Sequence, residues 1–279
     1  MVKINFLDGG MVFEINKKYK DFGEFSIEHN QDFICSLYQK YIDYGCTFIT
    51  TCNYCLKPSY TDNWEHLSKK SVELMQNFRK GDTKVLGSLP PFNKSYHNNA
   101  IDDNFINFYE KLIHIFKNKV DYYIIETGQN YTEIKKIYDI VKKIDIHTPL
   151  IISIYPNESH IANIDNYFTL NIYGLFLNCG SSNAIVNFYD LHLRTKNFHN
   201  IKFGISYNKI NEQKYSEYKD KSNVEDRKKN LQTFYRESDD VHTITSFLNS
   251  ISHKEIFIGG CCGYGTKEMK ELIDNLSNR

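Results

Sequence analysis

The sequence predicts a (β/α)8 barrel, an α/β fold in which eight parallel strands alternate with helices. Short apolar runs recur along the chain, each followed by a polar or glycine turn and then by a segment with helical spacing. This alternation indicates parallel strands, because parallel strands need crossover connections. Eight such units within 279 residues favour a closed barrel over an open sheet. We therefore expect residues 1–279 to form a single domain.

The predicted strands are short apolar runs, rich in β-branched residues, that stop at a glycine or a polar turn. In chain order they lie at residues 4–7, 47–51, 84–89, 122–126, 150–154, 174–178, 202–206 and 255–258. The carboxyl ends of barrel strands gather on one face, where barrel active sites lie. Five residues with useful chemistry are expected on that face: Asp8, Thr51, Glu126, Cys179 and Cys261.

Longer segments with helical spacing of apolar residues separate the strands. They predict helices at residues 32–43, 62–80, 102–118, 132–143, 184–192, 241–251 and 266–276, with a weaker pattern over residues 158–170. Asp62, Asp102 and Thr132 precede or open three of these patterns, so we expect them to cap the helices. Residues 211–229 are charged and lack periodicity, which predicts a solvated excursion after the seventh strand.

The charge balance disfavours some classes of function. Lys and Arg together number 34, as do Asp and Glu, so the formal net charge is zero. No global attraction to nucleic acid or to a membrane is expected. The first residues lack the pattern of a signal peptide, and no apolar run approaches the roughly 20 residues that span a bilayer. We therefore expect a cytoplasmic protein with small-molecule partners, and the sequence leaves its oligomeric state open.

Two adjacent cysteines after the last predicted strand are the strongest chemical signal. Cys261 and Cys262 follow Gly259 and Gly260. Neighbouring cysteines are poorly placed for a mutual disulfide. Seven cysteines in a chain without a secretion signal indicate reduced thiols. Two thiols at a strand end instead suit a metal ion that prefers sulfur, above all zinc.

A third thiol, that of Cys179, closes the sixth predicted strand and precedes Gly180. Three protein ligands leave a fourth position open, which is typical of a catalytic rather than a structural zinc ion. Zinc held by three thiolates is electron-rich and suits the binding of a substrate thiol, which it keeps deprotonated at neutral pH. The predicted reaction is alkyl transfer to a thiol. In the alternative interpretation, the three cysteines are small buried side chains that only pack.

The remaining cysteines are expected to pack rather than to bind metal. Cys52 and Cys55 form a C-x-x-C pair, but no second pair completes a tetrahedral site, so we interpret them as incidental thiols. Cys35 and Cys46 are expected to pack within a helix and a strand. None of the ten histidines has a ligand spacing such as H-x-x-x-H, which disfavours a histidine metalloenzyme.

Six short motifs together resemble one known family. They are Leu7-Asp8-Gly9-Gly10-Met11, Ile49-Thr50-Thr51, Gly87-Ser88-Leu89-Pro90-Pro91, Ile125-Glu126-Thr127, Leu177-Asn178-Cys179-Gly180 and Gly259-Gly260-Cys261-Cys262-Gly263. Their order and approximate spacing resemble the homocysteine S-methyltransferase family from Asp8 almost to the C-terminus. The resemblance implies a zinc-bearing (β/α)8 barrel that moves a methyl group onto the sulfur of homocysteine to give methionine. The implied zinc ligands are Cys179, Cys261 and Cys262.

The resemblance also implies which residues hold homocysteine. Glu126 takes the ammonium group, while Asp8 and the amides around Gly9 orient the amino-acid end of the substrate. Thr51 is a wall or contact residue of the same pocket. A carboxylate at a strand end suits an ammonium, and glycines let backbone N–H groups approach a carboxylate. From the residues alone, Asp8 is equally interpreted as a turn residue and Glu126 as a member of a surface ion pair.

The methyl donor is left open. S-methylmethionine and S-adenosylmethionine are the donors that the resemblance favours, with betaine as a third. Val12 and Phe13 replace the small residues that the family usually has after Met11, and Cys52 stands where the family commonly has Asn. Three rival functions also stay open: a zinc-thiolate sensor without turnover, a methyltransferase with another thiol acceptor, and a barrel enzyme without metal.

Overall fold

A computed structural model describes residues 2–93, 99–128, 130–198, 200–209 and 241–277. Eight parallel strands pair in chain order and close into a barrel, with the first strand beside the eighth. Helices alternate with the strands. The predicted (β/α)8 fold is therefore confirmed. The excursion predicted over residues 211–229 lies outside the described residues.

All eight predicted strands are present. They are β1 Lys3–Leu7, β2 Cys46–Thr50, β3 Lys84–Leu89, β4 Tyr122–Gly128, β5 Leu150–Ile154, β6 Gly174–Gly180, β7 Lys202–Tyr207 and β8 Glu255–Gly260. Strands β4, β6 and β8 continue beyond their predicted ends and finish at Gly128, Gly180 and Gly260. The predicted strands are shorter because glycine is a residue type that usually indicates a turn. Glu126, predicted as the last residue of its strand, and Cys179, predicted just after one, consequently both lie within strands.

The helices lie outside the barrel, as the strand order requires. Those described are α1 Met11–Tyr19, α2 Ser26–His29, α3 Gln31–Asp43, α4 Trp64–Gln76, α5 Asp103–Phe116, α6 Tyr131–Ile144, α7 Ile164–Tyr167, α8 Ser182–Phe188, α9 Val241–Ser250 and α10 Thr266–Ser277. The weak pattern over residues 158–170 corresponds to a 3-10 turn followed by α7, and α8 continues into a π-helical turn. The sequence pattern does not predict α1 and α2. Every helix in the described ranges is too short or too polar to cross a bilayer.

One of the three predicted helix caps is confirmed. The carboxylate of Asp102 caps α5 by accepting a hydrogen bond from a backbone amide of the first turn. The N-cap of α4 is Asn63 rather than Asp62, and that of α6 is Asn130 rather than Thr132. These two predictions are wrong by one and two positions. Asn130 takes the capping role because its side chain accepts a hydrogen bond from the amide of Glu133, whereas the side chain of Asn63 makes no capping hydrogen bond.

An apolar plug fills the interior of the barrel. It consists of Leu7, Phe48, Leu86, Ile124, Ile151, Phe176 and Phe257. The rings of Phe176 and Phe257 stack with their centroids 5.3 Å apart. Gly174 and Gly204 make room for Phe176, because a Cβ atom at either position would lie 2.7 Å from its ring. The plug fills the barrel interior with apolar side chains, so the polar residues that follow in the strands lie at the carboxyl end of the barrel.

Strand pairing is irregular at three places, each beside a predicted site residue. The register shifts just before Asp8 in β1, around Glu126 in β4 and at Cys179 in β6. Thr127 and Cys179 have left-handed φ angles of 52° and 59°. Bulges of this kind change the direction in which a strand presents its side chains. The barrel therefore departs from regular pairing where its chemistry is concentrated.

Candidate metal and substrate site

The thiols of Cys179, Cys261 and Cys262 meet at the carboxyl end of the barrel. The Sγ atom of Cys262 lies 3.7 Å from that of Cys179 and 4.0 Å from that of Cys261, and all three sulfur atoms lie within 4.8 Å of one another. Sulfur ligands at tetrahedral positions, with metal–sulfur bonds of about 2.3 Å, lie about 3.8 Å apart. The cluster thus has the spacing of a tetrahedral metal site. In the described part of the chain, no other group of His, Cys, Asp or Glu has it.

The cluster also favours a cation electrostatically. Cys179 is buried, while Cys261 and Cys262 are partly exposed. Contact with the thiol of Cys179 holds the pKa of both Cys261 and Cys262 well above the ordinary value for a thiol, and burial adds to the effect. Thiolates this close repel one another, whereas a bound cation compensates their charge. These residues therefore fit a metal ion that prefers sulfur.

Cys261 and Cys262 lie in a tight turn that follows β8. The amide of Tyr264 donates to the carbonyl oxygen of Cys261 at 3.1 Å, and Gly263 between them has a left-handed φ angle of 82° that favours glycine. The turn packs directly on the loop after β1. A Cβ atom at Gly10 would lie 2.5 Å from the carbonyl oxygen of Cys261. The first and last turns of the barrel are therefore in backbone contact at the cysteine cluster.

Asp8 lies at the end of β1 and is almost completely buried. Its Oδ2 atom accepts a hydrogen bond from the amide of Thr50 at 2.8 Å, and its Oδ1 atom accepts one from the Thr50 hydroxyl at 3.0 Å. Burial raises the pKa of Asp8 to about 8 in spite of these bonds, and the charge of Glu126 adds to the rise. The carboxylate form of Asp8 would therefore be stabilised by a nearby cation.

Glu126 lies in β4 and is partly exposed. The hydroxyl of Ser88 donates a hydrogen bond to its carboxylate. Burial raises the pKa of Glu126 to about 7; the Ser88 bond and the charge of Lys57 oppose the rise, and Cys179 adds to it. Lys57 itself is buried and donates from Nζ to the carbonyl oxygen of Pro91 at 2.8 Å. Glu126 is thus a carboxyl group poised to ionise near neutral pH.

Gly9 and Thr51 are both tightly packed. A Cβ atom at Gly9 would lie 2.3 Å from a backbone carbonyl oxygen, so a larger residue does not fit there. Thr51 is buried; its hydroxyl donates to Oδ1 of Asn53 at 2.6 Å and accepts from the amide of Ser88 at 2.9 Å. Thr51 therefore fixes the end of β2 against the end of β3.

Of the other cysteines, Cys35, Cys46 and Cys52 pack in the hydrophobic core, whereas Cys55 lies close enough to the cluster for its charge to raise the pKa of Cys262. All seven cysteines are free thiols. Cys35 lies on α3 and Cys46 begins β2, as predicted. The members of the C-x-x-C pair, Cys52 and Cys55, are both buried, and the sulfur of Cys52 lies 3.5 Å from the hydroxyl of Ser71 on α4. Cys52 thus packs between its loop and a helix.

Several polar residues of the site are not identified by the sequence analysis. Thr50 and Ser88 bind the two carboxyl groups. The hydroxyl oxygen of Thr127 lies 3.3 Å from both the hydroxyl of Tyr54 and the side-chain amide of Asn178, which donate to it. Thr50, Ser88, Thr127 and Asn178 stand inside the motifs that carry the family resemblance, which is the signal that marks them. Tyr54 follows one of those motifs and has no signal of its own.

Comparisons with known proteins identify related sequences and structures. A family model described as Homocysteine S-methyltransferase matches residues 5–276. No curated protein is significantly similar to the sequence. The metallated form of the homocysteine methyltransferase MmuM from Escherichia coli superposes with a TM-score of 0.71 and 16% identity, covering 98% of this chain and 96% of that chain.

Two further solved structures share the fold. The oxidized form of the same Escherichia coli protein superposes with a TM-score of 0.69 and 17% identity, covering 99% of this chain and 96% of that chain. A putative vitamin-B12 independent methionine synthase from Listeria monocytogenes superposes with a TM-score of 0.52 and 10% identity, covering 99% and 96% of the two chains. At these identities the structures establish the fold, and the family model carries the sequence relationship.

Proposed function

This chain belongs to the homocysteine S-methyltransferase family, and we propose that it transfers a methyl group to homocysteine by means of a zinc ion held by Cys179, Cys261 and Cys262. The observation that carries the proposal is the tetrahedral spacing of three thiols at the carboxyl end of the barrel. We treat residues 1–279 as one homocysteine-binding domain. A cytoplasmic location, and small-molecule partners rather than nucleic acid or membranes, stay predictions from the sequence.

Zinc suits both the cysteines and the reaction. Three thiolate ligands are the donors that zinc accepts in sites with an open fourth position. A zinc ion held by these residues would lower the pKa of the homocysteine thiol and so favour its thiolate form at neutral pH. The remaining work of the protein is to hold the amino-acid end of homocysteine and to align the sulfur with the donor methyl group.

Two carboxyl groups are proposed to bind the homocysteine ammonium. Glu126 accepts it directly, and Asp8 orients the same end of the substrate. Burial disfavours the charge of both groups, so an ammonium provides the compensation they need. The amide of Gly10 already donates to a backbone carbonyl at 2.7 Å, so the amide of Gly9 is the proposed donor to the substrate carboxylate. Thr51 acts as the wall that keeps this end of the pocket in place.

S-methylmethionine and S-adenosylmethionine are the proposed methyl donors. Both carry the methyl group on a positively charged sulfur, and both leave as a neutral thioether. A neutral leaving group needs no proton donor, so alignment and thiolate activation suffice for the chemistry. Betaine is a third candidate, because its leaving group, a tertiary amine, is also neutral at the moment of transfer.

A panel of donors tests the function. Zinc-loaded protein would be incubated with homocysteine and each donor, and methionine measured by mass spectrometry. We expect methionine with one of the sulfonium donors. S-methylmethionine itself becomes methionine, so it yields two methionine molecules for each homocysteine consumed, whereas S-adenosylmethionine yields one. Replacing homocysteine with cysteine in parallel reactions tests the rival in which another thiol is the acceptor.

The panel also distinguishes the enzyme from a binding protein. A zinc-thiolate sensor would bind homocysteine, measured by calorimetry, and form no methylated product with any donor. That result with stoichiometric zinc present would contradict the proposed transferase. Methylated cysteine in the cysteine reactions, together with unconsumed homocysteine in the homocysteine reactions, would instead favour the other thiol acceptor.

A further inference from the structure

His160 is a buried histidine that has no part in the proposed reaction. It lies in the 3-10 turn after β5 and is 0% exposed. Burial lowers its pKa to about 4, so the imidazole ring is neutral at neutral pH. A neutral imidazole has one nitrogen that donates a hydrogen bond and one that accepts. The partners of the ring therefore show which nitrogen carries the proton.

The two ring nitrogens have partners that fix the tautomer. Nε2 lies 3.0 Å from the carbonyl oxygen of Gly128, which can only accept, so Nε2 carries the proton and donates. Nδ1 then accepts from the hydroxyl of Tyr167 at 2.8 Å. Tyr167 is buried, and the ring of Tyr131 on α6 packs edge-on against it with a centroid distance of 5.1 Å. The imidazole is thus held between α7 and the end of β4.

Gly128 is the residue at which β4 returns to regular pairing with β5. Before it, β4 has two unpaired residues, Glu126 and Thr127, where β5 has one, and the φ angle of Thr127 is left-handed at 52°. The carbonyl oxygen of Gly128 accepts from the amide of Tyr155 at 3.1 Å and also from His160. A bulge changes the direction in which a strand presents its side chains. The backbone position of Gly128 therefore helps to set the direction of Glu126.

Packing from α6 keeps Gly128 in this position. A Cβ atom there would lie 2.8 Å from Cγ1 of Ile134, so the strand end and the helix are in close contact. Glu126 is held from another direction, since the hydroxyl of Ser88 on β3 donates to its carboxylate. A shift of the Gly128 carbonyl would move the backbone of Glu126 relative to Ser88. The bond from His160 therefore contributes to where the carboxylate lies.

We propose that His160 is a positioning residue for Glu126: its Nε2–H group fixes the β4 bulge that presents the Glu126 carboxylate to the ammonium of homocysteine. The inference rests on the proposed function, in which Glu126 binds that ammonium. Hydrogen bonds weaken steeply when their geometry departs from the ideal, and those between charged groups are the strong ones. Loss of the His160 bond should therefore weaken the binding of the amino group and leave the zinc site in place.

Two amide substitutions separate the hydrogen bond from the packing of the ring. In His160→Gln, the side-chain nitrogen is as many bonds from the backbone as Nε2 of histidine, so it can still donate to Gly128. In His160→Asn, the amide reaches only the position of Nδ1, where it can accept from Tyr167 but cannot donate to Gly128. His253→Asn is the matched control, because Nε2 of His253 bonds the hydroxyl of Tyr189 at 3.1 Å near the amino end of β8. Circular dichroism checks that each variant folds.

Two thiol ligands show whether the effect concerns the amino group. Homocysteine and 4-mercaptobutyrate differ only in the ammonium, so the ratio of their dissociation constants measures what the ammonium contributes. Calorimetry with zinc-loaded protein gives both constants at about pH 8, where Glu126, with a pKa of about 7, is mostly ionised. We expect His160→Asn to weaken the binding of homocysteine about tenfold and that of 4-mercaptobutyrate less than about twofold. His160→Gln and His253→Asn should bind both ligands as the wild type does, and all the variants should retain zinc.

The outcomes distinguish this inference from the proposed function. Equal losses for the two ligands in His160→Asn, wild-type binding of homocysteine by that variant, or the same loss in His160→Gln would overturn the role of His160. Should His160→Asn not fold, the nitrogen chemical shifts of the His160 ring in the wild type decide by NMR: a proton on Nδ1 would overturn the inference, and a proton on Nε2 would support it. Failure of the zinc-loaded wild type to bind homocysteine would overturn the proposed function, and this inference with it.

Discussion

Two acidic side chains at the carboxyl end of the barrel lie in surroundings that oppose their charge. Burial raises the pKa of Asp8 to about 8 and that of Glu126 to about 7. Hydrogen bonds from Thr50 and Ser88 nevertheless fix the orientation of the two carboxyl groups. Carboxylates whose charge is opposed in this way are stabilised most by a cation, which the ammonium of homocysteine would supply in the proposed complex. The ionisation of these residues and the binding of substrate should therefore be coupled.

We expect Glu126→Gln to raise the KM for homocysteine about tenfold to a hundredfold, because a hydrogen bond to a charged partner contributes about 1.5–3 kcal/mol. The Ser88 hydroxyl can still donate to the amide oxygen of Gln, so the packing is kept, and kcat should change less than KM. Steady-state kinetics with varied homocysteine measure the effect. Glu255→Gln, at the opposite end of the barrel, is the matched control and should leave KM unchanged.

The pKa of Glu126 also predicts a pH dependence. At a pKa of about 7, the carboxyl group is mostly protonated on the acidic side and mostly ionised on the alkaline side. The value of kcat/KM for homocysteine should therefore rise between about pH 6 and about pH 8. Glu126→Gln lacks the titrating group, so its profile should be flatter over that range. Profiles of the same shape for the two proteins would argue against ionised Glu126 as the ammonium partner.

Asp8 should make the stability of the metal-free protein depend on pH. Its pKa rises from 3.8 to about 8 on folding, so between these values the folded protein holds a proton that the unfolded chain has released. The free energy of unfolding therefore decreases as pH rises through this window. Asp8→Asn removes the contribution. Thermal denaturation between about pH 5 and about pH 8 should show a smaller fall in Tm for Asp8→Asn than for wild type, and equal falls would contradict the assignment.

Elements differ in how well the sequence predicts them. Parallel strands are buried on both faces, so they read as continuous apolar runs and their positions follow from sequence. The helix α1 does not, because its buried residues Met11, Phe13 and Ile15 alternate with a period of two rather than 3.6. The left-handed positions Thr127 and Cys179 also escape prediction, since glycine is the residue that normally marks that conformation.

Residues of the site also differ in how well the sequence predicts them. The three cysteines and two carboxyl groups can be predicted because parallel strands bring their ends to one face of a barrel. Their partners cannot. Ser88 and Asn208 reach Glu126 and Cys179 from neighbouring strands, and those contacts depend on strand register and on bulges that no local pattern specifies.

The contact between the first and last loops predicts a steric effect. In Gly10→Ala, the new Cβ atom would meet the carbonyl oxygen of Cys261 at 2.5 Å, and a backbone atom cannot move away without shifting the cysteine turn. Overpacking costs about 1–3 kcal/mol, so we expect zinc affinity to fall about tenfold or more. Chelator competition measures it.

Gly81→Ala is the control for this variant, because it adds backbone strain without adding a steric contact. Gly81 has a left-handed φ angle of 58°, and a Cβ atom added there would have no neighbouring atom within 4 Å. Gly81→Ala should lower stability by about 1–2 kcal/mol and leave zinc affinity unchanged. Equal zinc affinity in Gly10→Ala and Gly81→Ala would show that the contact with the cysteine turn does not matter.

At the scale of the whole molecule, closure of the barrel builds the site. Strand β8 pairs with β1, and the amide of Gly260 donates to the carbonyl oxygen of Asp8 at 3.1 Å. This bond joins the predicted substrate residue at the start of the chain to the cysteine turn near its end. Cys179 lies in β6, which is separated from β8 by β7. The apolar plug fills the interior of the barrel, and the carboxyl end is the face proposed to bind substrate and metal.

The zinc content of freshly reduced protein tests the central claim most directly. Metal analysis of the wild type and of Cys261→Ala would be compared with Cys35→Ala, which removes a thiol on α3 outside the cluster. We predict one zinc ion per chain in the wild type and in Cys35→Ala, and none in Cys261→Ala, which should also form no methionine. A wild-type protein without zinc, or a Cys261→Ala variant that retains both zinc and methyl transfer, would contradict the account.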